Sequence, residues 1–320
     1  MLSNNLIPNK FYMLEMDFMR DIVYGFGYEM EIITNTMKKN WHKKGNHYGL
    51  YGGYKESIHK FEDNDGKIYT FKVGVGDDAS PDGNRIKIIV LSETEQDCVT
   101  VFIDESVGDA ILHNVSYYRD CAKEGLRRPG VKQNRILRAN FICLRGGTIL
   151  LRFIHKYLLA IKNKYKIKRI VLRDNSQIYC EKCSHNIKLA RLKMLTHGRT
   201  WYSKYGFMPY DPESHKPDKI MLKKYELNKK IILTLKTSNL DIIKIANEVK
   251  KKEKLDYKID EIKRLTLKYP LMCLFVRRLV DEYPKYCCLI HYILEKIYKP
   301  MPPNQALMYD MFGQVFYLDI

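Results

Sequence analysis

Two adjacent glycines, Gly146-Gly147, join a strand-like run over Asn134–Leu144 to a helical pattern that reaches about Tyr165. Glycines at a strand-to-helix junction let the backbone come close to a ligand. The first amides of the helix that follows have no carbonyl partner and point outward. Free donors and the positive end of the helix dipole together make an anion site. The charge agrees: between Arg119 and Arg173 there are 16 Lys/Arg against 2 Asp/Glu, so 14 of the net +18 lies in this window. An anionic ligand is expected at Gly146-Gly147.

The helical pattern has one apolar stripe, Leu150, Phe153, Ile154, Tyr157, Leu158, Ile161 and Tyr165, with Arg152, His155, Lys156 and Lys162 opposite. The β-branched run Ile167–Leu172 then reads as the second, parallel strand of a right-handed βαβ unit. Upstream, Lys55–Phe61, Lys67–Val75, Arg85–Leu91 and Cys98–Ile103 alternate and are separated by turn signals such as Glu62-Asp63-Asn64-Asp65-Gly66. They predict an antiparallel meander. A helix is expected over Ala110–Lys123 and another from about Asn186 to Lys204, with a strand at Lys219–Leu227. From Asn228 the chain turns to amphipathic helices with Lys-rich faces, with Ser238 and Asp241 forming a capping-box-like start. A chain of 320 residues can hold two such domains. The expected division is 1–227, a mixed α/β domain, and 228–320, an α-helical domain.

The order meander, strand, Gly-rich turn, helix, parallel strand, helix, strand resembles the GNAT superfamily of acetyl-CoA-dependent N-acetyltransferases over 55–227, most clearly over 136–227. Leu144-Arg145-Gly146-Gly147-Thr148 is similar to that family's Arg/Gln-x-x-Gly-x-Gly/Ala turn, although Cys143 holds the first motif position and Thr148 the sixth. Trp201-Tyr202-Ser203-Lys204-Tyr205-Gly206-Phe207 is similar to its Tyr-x-x-x-Gly-Phe box, and Lys219–Lys224 to its closing strand. The resemblance implies a GNAT-like acyl-CoA N-acyltransferase fold that binds acetyl-CoA as cosubstrate. Gly146, Gly147 and Thr148 would offer amides to the pyrophosphate, with Arg145 and Arg152 supplying charge. Phe141, Ile142 and Cys143 would pair with the pantetheine arm as an extra strand. Tyr202 would protonate the departing thiolate.

An attacking amine must be neutral, so a base is needed. Asp174, after the second parallel strand, is the carboxylate chosen, with Asp104 and Glu105 as competitors; the acceptor amine is unspecified. Cys180-Glu181-Lys182-Cys183 has the spacing of half a zinc site, which His185 or His197 would have to complete. No second Cys-x-x-Cys pair exists, so no metal is assigned, and Cys287-Cys288 read as core. Eight cysteines and an opening segment, Met1–Arg20, without an apolar core predict reduced thiols in a soluble cytoplasmic protein. Apolar runs such as Leu271–Val276 are too short to span a bilayer. The basic balance, with Lys250-Lys251-Lys252 and Arg277-Arg278, supports an alternative: a nucleic-acid-binding or packaging-type protein on a catalytically inactive GNAT-like fold.

Overall fold

A computed structural model describes residues 34–35, 54–62, 66, 68–78, 85–91, 97–115, 142–299 and 306–320; for 34–35, 142–146 and 284 only the backbone is described. The strands are β1 (Thr34–Asn35), β2 (Lys55–Glu62), β3 (Ile68–Asp77), β4 (Ile86–Leu91), β5 (Asp97–Asp104), β6 (Asp109–Val115), β7 (Arg169–Arg173), β8 (Gln177–Cys180), β9 (His185–Lys188), β10 (Met208–Asp211), β11 (Lys216–Pro217) and β12 (Val315–Asp319). The helices are α1 (Ile142–Ile161), α2 (Leu189–His197), α3 (Lys219–Ile231), α4 (Ile242–Lys252), α5 (Ile259–Lys268), α6 (Met272–Asp281) and α7 (Tyr283–Tyr298). The protein is mixed α/β. Ten strands form one sheet in the order β1-β2-β3-β4-β5-β6-β7-β12-β10-β11, and β8-β9 is a separate hairpin.

The meander forms as its alternation requires, from β2 to β5, and gains a fifth strand, β6, where a helix was expected from Ala110. Asp104 makes the difference. Its carboxylate accepts from Ser106 N at 3.1 Å, and Gly108, at φ 79°, closes the hairpin with its amide on Asp104 O at 2.9 Å. A Cβ on Gly108 would stand 2.9 Å from the Lys166 carbonyl, so the turn also packs against the residues leading into β7. The β6–β7 pair is parallel, whereas the other pairs of the described sheet are antiparallel.

The buried stripe of α1, including Leu150, Phe153, Ile154 and Leu158, lies on Phe61, Phe71, Val90 and Val101 of the meander. The Phe71 and Phe153 rings pack tilted against each other, with centroids 4.4 Å apart. Each such side chain contributes about 1.5–3 kcal/mol by leaving water. That outweighs the roughly 1 kcal/mol that each glycine inside a helix costs. The helix accordingly runs through Gly146 and Gly147 and starts at Ile142.

A second core joins the β8–β9 hairpin, α2 and helices α3–α7 with Met308 and Met311. Lys219–Leu227, expected as a strand, is the body of α3. Asp218 caps it, accepting from Ile220 N at 3.0 Å and Met221 N at 2.9 Å, and Met221, Tyr225 and Asn228 form its buried face. The helix expected over Asn186–Lys204 is the shorter α2, preceded by β9 and ended by Gly198 at φ 68°. Asp241, rather than Ser238, caps α4.

The last strand changes the domain division. β12 lies between β7 and β10, pairing Phe316 with Leu172 on one side and Pro209 on the other. The strand therefore belongs to the sheet expected to end at residue 227, and the helices are an insertion between β10 and β12. Arg191 fastens that insertion. Its side chain is 1% exposed and pairs with Glu295 of α7 and with Asp310, which Nε meets at 3.0 Å. Asn228 then holds the returning segment, Nδ2 donating to Tyr309 O at 2.8 Å and Oδ1 accepting from Tyr309 N at 2.9 Å. The expectations for 1–33 and 116–141, Phe141 among them, lie outside the described residues.

Candidate functional site at the carboxyl ends of the parallel strands

The parallel pairing runs from Asp109↔Arg169 to Leu112↔Leu172. Beyond it the register of β5 against β6 shifts, Val101 facing Leu112 and Thr100 facing Asn114, so His113 is an extra residue in β6. A bulge of this kind bends the strand that carries it. β6 continues to Val115, while its pairing with β7 ends at Leu112↔Leu172, one residue before β7 itself ends. In open α/β sheets such a place is where ligands are seated.

Asp174 directly follows β7 at this edge. Its backbone is held by β12's approach, Asp174 N donating to Gln314 O at 2.9 Å and Gly313 N to Asp174 O at 2.8 Å. The side chain is fully buried. Oδ1 accepts from Ser176 N at 3.2 Å and from Ser176 Oγ at 2.5 Å, and Oδ2 has no partner. Burial pushes the carboxyl up to about 6, against the opposing effect of the Ser176 bonds.

Tyr202 opens a short 3-10 turn, Tyr202–Tyr205, and is buried between Trp201 and Phe207, with ring centroids 4.7 and 6.0 Å away. Burial raises its phenol, and the charge on Asp174 raises it further. The two residues expected to carry acid and base chemistry, 28 positions apart in sequence, are thus both buried, and the Asp174 charge acts on the Tyr202 phenol from this end of the sheet. Asp104 does not share it. It lies at the other end of the sheet beside the Ser106 turn, where its hydrogen bonds to Ser106 hold it below the usual carboxylate range, and Glu105 follows it there.

The glycine pair is placed differently from the expectation. Because α1 starts at Ile142, Gly146 and Gly147 lie in its second turn, where an amide is already bonded to the carbonyl four residues back. They therefore lie within the helix and not in a turn ahead of it. The amides that lack a partner within a helix are those of its first turn, here Ile142, Cys143 and Leu144. For the same reason Ile142 and Cys143 are helical and do not offer a strand edge to a pantetheine arm. The Arg145 side chain lies outside the described residues. Arg152 is ten residues into the helix, about 15 Å from its start, too far to reach an anion there by position alone.

Gly147 has another task. A Cβ there would meet the Trp201 indole at 3.2 Å, and the next residue, Thr148, accepts from Tyr205 OH at 2.9 Å. The two stretches that carry the family resemblance therefore touch, through packing and one hydroxyl bond.

A second polar cluster, which sequence reading missed, occupies the opposite edge. Arg169 Nε pairs with the buried Asp109 carboxylate at 2.9 Å, and Tyr210 OH lies 3.2 Å from His215 Nδ1. Asp109↔Arg169 is the first rung of the parallel pair, so the ion pair is explained by the register. Only that register, not sequence spacing, would have revealed it.

The cysteines also differ from expectation. Cys180 and Cys287 form a disulfide and Cys98 is disulfide-bonded, whereas Cys183, Cys273 and Cys288 are free and buried. His197 does not join Cys180 and Cys183. Its Nδ1 lies 2.7 Å from Thr196 Oγ1, and burial together with Lys193, Arg277, Arg199 and Lys204 pushes it down to about 3. His185 stacks on His291 with centroids 4.4 Å apart. The basic clusters are locally engaged: Lys250 donates to Tyr257 O at 3.0 Å, Arg277 to Thr196 O, and Arg278 pairs with Asp281 and Glu282.

The fold defines a mixed α/β protein with a helical insertion and a buried carboxylate, Asp174, at the end of a parallel strand pair. Among the described residues no helix is long and apolar enough to cross a membrane. No family model, curated protein or solved structure matches the chain.

Proposed function

We propose that the chain is an N-acetyltransferase that moves acetyl from acetyl-CoA directly to an amine. The carrying observation is Asp174, a fully buried carboxylate with one oxygen unpartnered, directly after the second parallel strand and acting electrostatically on the buried Tyr202. The resemblance to the GNAT superfamily supports the same assignment, since that family seats its cofactor in the slot between two splaying parallel strands. Tyr202 keeps its proton throughout the neutral range and is the acid for the departing thiolate. Asp174 is ionised above about pH 6 and takes the proton from the attacking ammonium or amine. The first-turn amides of α1 are the donors for the cofactor's phosphates, one turn upstream of the glycines.

The test is transfer itself: full-length protein, acetyl-CoA and a panel of protein, polyamine and amino-sugar acceptors, with acetylated product read by mass spectrometry. Product that falls at least about a hundredfold in both Tyr202→Phe and Asp174→Asn supports the assignment of both groups. Product from neither variant nor wild type, across the panel, counts against it.

The charge of +18 favours a second reading, a nucleic-acid-binding protein on an inactive fold. Binding to DNA or RNA whose affinity falls steeply along a salt series, without acetyl transfer, would favour that reading.

A further inference from the structure

We propose that Cys180, Cys183, Cys287 and Cys288 bind one zinc ion when the protein is reduced, in a structural site separate from the Asp174–Tyr202 edge. The four sulfurs come from two elements. Cys180 ends β8 and Cys183 lies in the turn before β9, where Ser184 adopts φ 53°, so the Cys-x-x-Cys pair spans the tip of a tight hairpin. Cys287 and Cys288 are consecutive on α7, and both reach the same hairpin sulfur: Cys287 Sγ is bonded to Cys180 Sγ, and Cys288 Sγ is 3.5 Å from it.

The distances are those of a ligand set drawn slightly together. Cys183 Sγ is 3.3 Å from Cys180 Sγ, and the sulfurs of Cys180, Cys183 and Cys288 all lie within 4.8 Å of one another. A tetrahedral zinc–thiolate site, with Zn–S about 2.3 Å, holds its sulfurs about 3.8 Å apart. Once the Cys180–Cys287 bond is reduced and its two sulfurs part, shifts of roughly half an ångström bring Cys183 and Cys288 to that spacing from Cys180.

All four cysteines are at most 7% exposed. The disulfide employs only two of these sulfurs and leaves Cys183 and Cys288 as buried thiols packed against it. One cation would engage all four. Sequence reading stopped at half a site because the completing pair lies more than a hundred residues away, on a helix whose apolar neighbours disguise it.

The chemistry balances without any further component than a thiol reductant of the glutathione class. Two reductant thiols give two electrons and two protons to the Cys180–Cys287 bond, which becomes two thiols, and the reductant becomes a disulfide. Zn²⁺ then displaces four protons, leaving a tetrathiolate bound to the metal. Such binding is itself folding free energy, because the unfolded chain has no formed site. Here it would tie the hairpin that follows Asp174 to α7.

Full-length protein reduced with a phosphine and supplied with zinc is expected to retain one metal per chain after dialysis. Cobalt in its place is expected to give the charge-transfer and d–d absorption of a tetrahedral four-thiolate site. Cys183→Ser, which leaves the disulfide partners intact, should lose at least about tenfold in zinc affinity. Cys273→Ser, away from the cluster, should keep wild-type metal content. Should variants fail to fold, alkylation of the wild type followed by peptide mapping decides: zinc must shield these four cysteines and a chelator must expose them. No metal uptake by the reduced wild type, alkylation indifferent to zinc, or full uptake by Cys183→Ser overturns the proposal.

Discussion

Gly147 lies against the indole of Trp201, so near that a Cβ would stand 3.2 Å from Cη2. The indole cannot easily yield, since Tyr202 and Tyr205 flank it with centroids 4.7 and 5.8 Å away. A larger residue at 147 therefore overpacks the junction. Gly147→Leu is expected to cost about 1–3 kcal/mol, despite the better helix propensity of leucine. Denaturation followed by tryptophan fluorescence measures it; a more stable variant would mean that the glycine is not there for packing.

Asp174 links stability to pH in an unusual direction. Its folded-state carboxyl titrates at about 6, above the roughly 3.9 of an unfolded aspartate. The folded state thus holds the proton more tightly, and this group makes no demand on stability at pH 4 and below. As pH rises from about 4 to 6 its ionisation in the buried site removes up to about 3 kcal/mol. Asp174→Asn keeps an acceptor for Ser176 and lacks the charge. Unfolding free energies measured from pH 4 to 8 should show the variant gaining on wild type as pH rises, while acetyl transfer is lost. Parallel curves for the two proteins would contradict the burial argument.

Transfer activity should follow the same group with opposite sign. A base must be ionised, so kcat/KM is expected to rise tenfold per pH unit below about 6 and then level, as far as the acceptor amine's own ionisation allows. An acceptor with a low amine pKa separates the two contributions. A profile that is flat through pH 6 with such an acceptor would remove Asp174 from the base role.

Arg191 holds the helical insertion to the returning chain through Glu295 and Asp310, and Tyr298 OH donates to the Arg191 carbonyl at 3.0 Å. Arg191→Met fills the buried volume but leaves two carboxylates facing each other. Their side chains are 36% and 28% exposed and can regain water, so the expected loss is about 3 kcal/mol, the lower end for a broken buried pair. The denaturation midpoint reports it; an unchanged midpoint would place the tie elsewhere.

Local patterns were legible where burial alternates on one scale. The meander and the α1 stripe follow from the side chains of Phe61, Phe71, Leu150, Phe153 and Leu158, which share one core. Residues 219–227 were ambiguous, because Ile220-Met221-Leu222 suits either period, and the Asp218 cap decided for helix. β12 was hidden by its distance: its partners at Arg169–Arg173 lie on the far side of the whole helical insertion. Of the candidate site, Asp174 and Tyr202 were named from sequence, and both are buried, with the Asp174 charge acting on the Tyr202 phenol. The glycine pair was read as a turn because glycine is a poor helix former, whereas α1 starts at Ile142 and runs through both.

Calorimetric titration of acetyl-CoA into full-length protein tests the central claim most directly. One binding site, with affinity reduced when Asp174 is replaced by a bulkier Leu at the end of the parallel pair, is the expected result. A folded protein that gives no heat at millimolar acetyl-CoA, or one whose binding is untouched by Asp174→Leu, would contradict the placement of an acyl-CoA site at the carboxyl ends of β6 and β7.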